Sequence, residues 1–174
     1  MAEDPVSSRR STLLFYGTAL VWLALDQWTK LEVLRRLMLG ESHPVITGYL
    51  AMTHVTNTGG AWSLLAGKTI ALGLLSLAVC VALLVYERRW LPRKTGQTLG
   101  MAFLLGGAAG NMVDRLRLQH VVDMIDLQWH GHNVFPIFNV ADIGIDVGVG
   151  LLLLYSFLEK PADVVRPVAT EGVG

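Results

Sequence analysis

The sequence predicts a membrane protein, mainly α: four transmembrane helices with a small extracytoplasmic β-sheet and an interfacial amphipathic helix. Three observations predict it. The 174 residues are 52% hydrophobic and only 16% charged, against roughly 25% charged residues in an ordinary soluble domain. The apolar residues are gathered into four segments between charges. Basic residues bracket those segments, and the net charge is zero. No stripe or block of Lys and Arg marks a nucleic-acid surface, so no nucleic-acid partner is expected.

The spans are expected at about residues 11–26, 69–86, 95–113 and 142–159, within a single integral membrane domain covering 1–174. A helix crossing the hydrocarbon needs about 20 apolar residues. The middle two segments reach that length outright; the outer two reach it with Arg10, Asp26 and Glu159 at headgroup level. The first is read as a retained span, because Leu23-Ala24-Leu25-Asp26 offers no small-x-small cleavage site. Arg9 and Arg10 precede span 1, Arg88, Arg89, Arg93 and Lys94 crowd the connection between spans 2 and 3, and Lys160 and Arg166 follow span 4. The positive-inside rule therefore places both termini in the cytoplasm. The tails, 1–10 and 161–174, are expected to be disordered.

Between spans 1 and 2, residues 27–39 carry Trp28, Leu31, Leu34, Leu37 and Met38 at helical spacing, with Lys30, Glu32, Arg35 and Arg36 toward the other face. That pattern predicts a helix lying in the interface plane. Residues 45–55 are β-branched and partly alternating, bounded by Pro44 and the turn at Asn57-Thr58-Gly59-Gly60, and predict a strand or hairpin. A further strand is expected around 121–129, with a turn at Gly131–Asn133. Gly96/Gly100, Gly106/Gly110 and Gly144/Gly148 are spaced as G-x-x-x-G and predict close contact of spans 3 and 4. The lone Cys80 lies within an apolar stretch and is assigned to packing. The tryptophans, Trp22 among them, are assigned mostly to interface anchoring.

The polar residues converge. With both termini inside, span 1 ends, span 3 ends and span 4 begins at the outer face, so Asp26, Asn111, Asp114, Arg115, Asn139 and Asp142 reach one level. Asn111, Asp114 and Arg115 share a helix face, as do Asn139 and Asp142. Asp123, in the second external segment, is the partner for Asp142. Carboxylates beside hydrocarbon are costly to keep charged, which makes them functional by default. Two held close together share a proton and can activate a water, one serving as base and the other as acid. Asp114 and Arg115 read most simply as a salt bridge, Asn57 as part of a turn, and His130 and His132 as surface residues without a third metal ligand. No metal and no cofactor are expected. Asp146, one turn below Asp142, has no assigned role.

Five motifs carry a family resemblance: Leu25-Asp26-Gln27-Trp28-Thr29-Lys30; Asn57-Thr58-Gly59-Gly60-Ala61-Trp62-Ser63; Gly107-Ala108-Ala109-Gly110-Asn111-Met112-Val113-Asp114-Arg115; Val121-Val122-Asp123; and Phe138-Asn139-Val140-Ala141-Asp142. In this order they resemble the motif series of bacterial lipoprotein signal peptidase, signal peptidase II, over roughly residues 12–158. The resemblance implies an aspartic endopeptidase of the bacterial cytoplasmic (inner) membrane, with its active site near the extracytoplasmic face. It would remove the signal peptide from diacylglyceryl-modified prolipoproteins just before the lipidated cysteine. Its partners would be that lipid-modified prolipoprotein, membrane lipids and, as inhibitor, a cyclic peptide antibiotic of the globomycin type. Asp123 and Asp142 correspond to the catalytic pair, Asn57, Asn111, Arg115 and Asn139 to residues lining the substrate site, and Asp26, Lys30 and Asp114 to mainly structural polar residues.

Other classes fit less well. A serine protease using Ser63 with Lys68, or Ser76, lacks the G-x-S-x-G and S-x-x-K patterns. Gly144-Ile145-Asp146 lacks the glycine directly before Asp that G-x-G-D requires. A proton-coupled transporter would spread carboxylates through the membrane depth, and four short spans leave little room for its repeats. An assembly scaffold would explain the glycines but not the paired aspartates.

Overall fold

The computed structural model describes residues 5–60, 65–90 and 94–158. Eight elements follow in chain order: α1 (Pro5–Arg36), β1 (Ser42–Ile46), β2 (Leu50–Asn57), α2 (Thr69–Trp90), α3 (Thr95–Leu118), β3 (Val121–Trp129), β4 (His132–Asn133) and α4 (Val140–Leu158). The protein is thus mainly helical with a small antiparallel sheet. Among the described residues, α2 and α4 are long and apolar enough to cross a membrane.

α3 is the centre of the bundle and packs against α1, α2 and α4. Its small residues let the backbones meet. A Cβ on Gly100 would stand 3.0 Å from the Gly148 carbonyl oxygen, one on Gly148 would stand 2.6 Å from the Gly100 carbonyl oxygen, and one on Gly107 would overlap the Ala141 carbonyl oxygen. The glycine spacing therefore gives the expected contact of α3 with α4. Gly106 does the same for α1, with the Ala19 carbonyl oxygen 2.8 Å from where its Cβ would be. Gly144 instead makes room for the Trp22 ring. Trp22 donates to the Val140 carbonyl at 3.0 Å and stacks edge-on against Phe103, so it is an interior wedge and not an interface anchor.

Phe15 and Ala19 of α1, Cys80 of α2 and Met101, Ala102, Leu105 and Ala108 of α3 form the buried apolar core, which gives Cys80 the packing role its surroundings suggested. The other sides of α2 are apolar too: Ile70, Leu74, Leu75, Leu77, Val81 and Val85 are all exposed. A helix that is apolar all round while one face alone is packed needs an apolar solvent on the others.

α1 departs from expectation at both ends. Residues 5–10, assigned to a disordered tail, are helical, with Pro5 at the first helical position, where a missing N–H costs nothing. Residues 1–4 and 161–174 lie outside the described residues. The interfacial helix is not a separate element: residues 27–36 continue α1 without a break. Across the expected joint Asp26 and Lys30 pair at i, i+4, and the first breaker is Gly40 at φ 82°. The resulting 32-residue helix is about 48 Å long, well beyond the roughly 30 Å hydrocarbon. Its extension buries Asp26, Lys30 and Val33 on one face while Trp28, Leu31 and Leu34 stay exposed, so Lys30 faces inward and not toward water.

That extension is the platform for the sheet. Val33 packs with Val122 and Met124 of β3, supported by Leu37, Met52 and Ile125. The sheet has the order β1-β2-β3-β4, with every pair antiparallel. The turn begins one residue earlier than expected: His130 and Gly131 take φ of 51° and 84°, as a tight two-residue hairpin requires, whereas His132 and Asn133, expected within the turn, form β4 and pair with Trp129 and Gln128. Because strand side chains alternate, Val122 and Met124 face α1, whereas Val121, Asp123 and Leu127 line a cavity on the other face.

Candidate active site

A cavity of about 920 Å³ opens between the sheet and the helices. Leu75 and Val79 of α2, Leu104 and Ala108 of α3 and Ile145 of α4 give it apolar walls, and Asn57, Asn111, Arg115, Asp123 and Asp142 supply polar groups. Residues from five elements therefore meet at one place.

Asp142 is held by the start of α4. Asn139 is the residue before that helix; its Oδ1 accepts from the Asp142 N–H at 3.0 Å, and the Asp142 Oδ2 accepts from the Asn139 N–H at 3.2 Å. This reciprocal pair is a capping box, which satisfies two helix-end donors and fixes both side chains. Asp123 is brought alongside by backbone bonding: the Met124 and Ile125 N–H groups donate to the Phe138 carbonyl at 3.0 and 2.7 Å, and Phe138 returns an N–H to Ile125 at 3.2 Å. The residue after Phe138 is Asn139, whose amide donates to Asp123 Oδ1 at 2.6 Å. Asn139 is fully buried behind the two aspartates and joins them, instead of lining the cavity as expected.

The other oxygens are bonded as well. Asn57 donates to Asp123 Oδ2 at 3.0 Å while its own Oδ1 accepts from Gly59 N–H at 2.9 Å, so it is a turn residue and a site residue at once. Asn111 donates to Asp142 Oδ1 at 2.8 Å and accepts from Asn139 at 3.2 Å. Asp123, 2% exposed, has its pKa pushed up to about 6. Burial is the larger cause and the negative charge of Asp142 the second, opposed by the amides of Asn139 and Asn57. A carboxyl group that is protonated near pH 6 beside a second carboxylate can donate a proton or accept one at neutral pH.

Asp26, Lys30 and Asp114 form a cluster beneath the two aspartates. Lys30 Nζ lies 2.9 Å from an oxygen of each carboxylate, and all three side chains are at most 4% exposed. Asp26 accepts the Ala141 N–H at 2.8 Å and Asp114 the Val122 N–H at 3.2 Å, so the cluster fastens α1 and α3 to α4 and β3. Gln27, which sequence reasoning missed, bridges both acids at 3.1 and 3.0 Å. The expected Asp114–Arg115 pair does not form, because neighbours on a helix point about 100° apart. Arg115 instead donates to the Gly59 carbonyl at 3.0 Å and leans on Asn111 O at 3.5 Å, and its Nε has no partner among the described residues.

Asp126 is a second residue that sequence reasoning missed. It is 2% exposed and accepts from Thr53, Gln128 and Asn133 at 3.0, 2.7 and 2.9 Å, which ties the sheet together. Its only signal in the sequence is a charge inside an apolar strand. Asp146 lines the cavity and is exposed in it. Ser76 also lines the cavity but spends its hydroxyl on the Leu72 carbonyl at 3.0 Å. Ser63 and Trp62 lie outside the described residues. His130 and His132 are exposed, with His130 against Tyr49 and Trp129.

The arrangement is that of an enzyme cavity in a membrane-type bundle, and comparison with known proteins agrees. A solved structure described as a bacterial membrane enzyme, at 2.3 Å resolution, superposes with a TM-score of 0.76 and 30% identity, covering 88% of this chain and 94% of its own. A second, at 1.9 Å resolution, gives 0.73 and 30%. Residues 18–158 match the family Signal peptidase (SPase) II. Lipoprotein signal peptidases from Anoxybacillus flavithermus and Nostoc punctiforme are 38% and 40% identical to this chain, over 87% and 91% of it and 89% and 98% of their own lengths. The chain belongs to the signal peptidase II family, an aspartic peptidase family that cleaves lipoprotein signal peptides.

Proposed function

We propose that Asp123 and Asp142 are the catalytic dyad of this peptidase and that residues 1–174 form one integral membrane domain crossing the bacterial cytoplasmic membrane four times. One observation carries the reading: both carboxylates line one cavity and both bond one buried residue, Asn139, Asp123 accepting from its side-chain amide and Asp142 from its backbone N–H. α1 to α4 are the four spans, both termini are cytoplasmic and the sheet lies on the extracytoplasmic side. The bracketing basic residues and the apolar outer surface of α2 support that topology.

The chemistry follows from one shared proton. The ionised carboxylate takes a proton from a water held between the two, and the water oxygen attacks the scissile carbonyl carbon. The protonated carboxyl group donates to the carbonyl oxygen as it gains charge. Collapse of the tetrahedral intermediate returns a proton to the departing amine, releasing the signal peptide as a carboxylate and the lipid-bearing cysteine with a free amino group. Arg115 and Asn57 stand on the cavity wall, where their N–H groups can meet the substrate backbone. The apolar walls suit a signal-peptide segment with an acyl chain beside it, and a cyclic peptide of the globomycin type would block the same cavity.

Purified protein in detergent should cleave a diacylglyceryl-modified precursor. Asp123→Asn and Asp142→Asn should each lower kcat by about 10²–10⁴-fold while still retaining the precursor on the folded enzyme. Turnover at the wild-type rate in either variant would remove that residue from the dyad. A chelator should leave the rate unchanged.

A further inference from the structure

Lys30 does not line the cavity, yet it ends a chain of hydrogen bonds that reaches both aspartates. Its Nζ is 3.1 Å from Asn111 Oδ1 in addition to its contacts with Asp26 and Asp114. An ammonium group donates and never accepts, so the end of the Asn111 amide that faces Lys30 has to be the oxygen. The same oxygen accepts from Asn139. With the oxygen fixed there, the NH2 end is left facing Asp142, where it donates at 2.8 Å. Turning the amide over would set its oxygen against the Asp142 carboxylate and its NH2 against two donors.

We propose that Lys30 is a positioning residue for peptide cleavage: by holding the amide oxygen of Asn111 it fixes which end of that amide meets Asp142. The donor supplied to Asp142 keeps that carboxylate ready to take a proton from water. Asp26 and Asp114 hold the ammonium group in place, each anchored by a backbone N–H of another element. The inference rests on the reading of Asp123 and Asp142 as the dyad. A merely structural Lys30 would neutralise Asp26 and Asp114 and leave the chemistry untouched.

Lys30→Met alone would strand two buried carboxylates, so the test uses Lys30→Met/Asp114→Asn, which keeps the formal charge of the three-residue cluster at −1. The charged groups facing the dyad are Lys30 and Asp26 from α1, Asp114 and Arg115 from α3, and Asp146 from α4. Asp114→Asn alone, which takes the cluster charge to 0, is the control for loss of that carboxylate. On the folded fraction, the double variant should lose about 10–100-fold in kcat, with KM within about threefold. Its pH–rate profile should move upward by about half a unit or more, since a carboxylate that loses a donor holds its proton more tightly. Asp114→Asn, in which Lys30 keeps Asp26 and Asn111, should lose less kcat than the double variant without moving the profile upward, and Lys30→Gln/Asp114→Asn, which restores a donor at the same formal charge as the double variant, should recover part of its kcat.

Wild-type kcat and an unmoved profile in the double variant, with both aspartate variants inactive, overturn the role of Lys30 alone. Turnover in Asp142→Asn overturns the dyad first. The wild-type protein gives a readout that needs no folded variant: the isotope-labelled side-chain amide of Asn111 should show two distinct, non-exchanging proton signals that shift as the dyad titrates. An averaged or pH-silent pair of signals overturns the proposal.

Discussion

Asp123 sits in an environment far from that of a free carboxyl group. Raising its pKa from 3.8 to about 6 means that burial works against the charged form. The sign follows: the folded state binds a proton that the unfolded state has released, so the stability linked to this group is present below pH 3.8 and is lost as pH rises through about 6. Asp123→Asn should therefore gain stability relative to wild type between pH 4 and pH 8, on the order of 2–3 kcal/mol, read as a difference in Tm at the two pH values. A gain that does not depend on pH would contradict this account. The same shift places one limb of the activity profile near pH 6. At this scale the sequence was informative about residue types. Asp123, Asp142 and Asn111 stood out because carboxamides and carboxylates at a membrane rim have few other uses, whereas Asn57 read from its neighbours only as a turn and was singled out by the family resemblance. Partners were not legible: Arg115 and Asp114 are adjacent in sequence, yet one turns to the Gly59 carbonyl and the other to Lys30, and only the direction of each side chain from α3 decides that.

Elements bring the site together through backbone contacts that admit no side chain. A methyl group on Gly110 would strike the Asp26 carboxylate, whereas one on Gly150 would meet nothing within 4 Å. Gly110→Ala should thus disturb the ion cluster and the α1–α3 contact, costing about 1–3 kcal/mol and most of the activity. Gly150→Ala, on the next helix but facing open space, should leave both near wild type. Thermal unfolding of the two variants in one detergent checks this, and equal Tm values would contradict it. The glycine spacing made the α3–α4 contact readable in advance. The length of α1 was less readable: the change from a uniformly apolar run to an amphipathic pattern near Asp26 looked like a boundary between helices. In the folded chain it marks only where α1 starts to carry the sheet, and the Asp26–Lys30 pair spans the point where a break was expected. Charge pattern reports the surroundings of a helix, and only Gly, Pro or a cap reports its end.

The whole molecule is a frame for holding two carboxyl groups at the edge of an apolar cavity. The helices supply Asp142, Asn111 and Arg115, the sheet supplies Asp123 and Asn57, and the Phe138 bridge between β3 and the start of α4 sets their separation. The proposed four-span topology predicts that a cysteine introduced at exposed Gly131, at the sheet end, reacts with an impermeant thiol reagent on intact cells only from the extracytoplasmic side. Labelling from the cytoplasm would invert the topology. The order of the motifs was legible because it is written directly in the chain, and the outward position of the carboxylates belongs to the proposed topology that this labelling tests. The partners of half-buried Gln27 and buried Asp126 were not legible, because the one local signal, a charge inside an apolar strand at Asp126, does not say what it bonds. The central claim is that both carboxylates act on one water. It is tested most directly by an experimental structure with a peptide analogue that carries a hydroxyl group in place of the scissile carbonyl. The account predicts that hydroxyl within about 3.2 Å of both Asp123 and Asp142; a hydroxyl bound by one of them, with the other turned away, would contradict it.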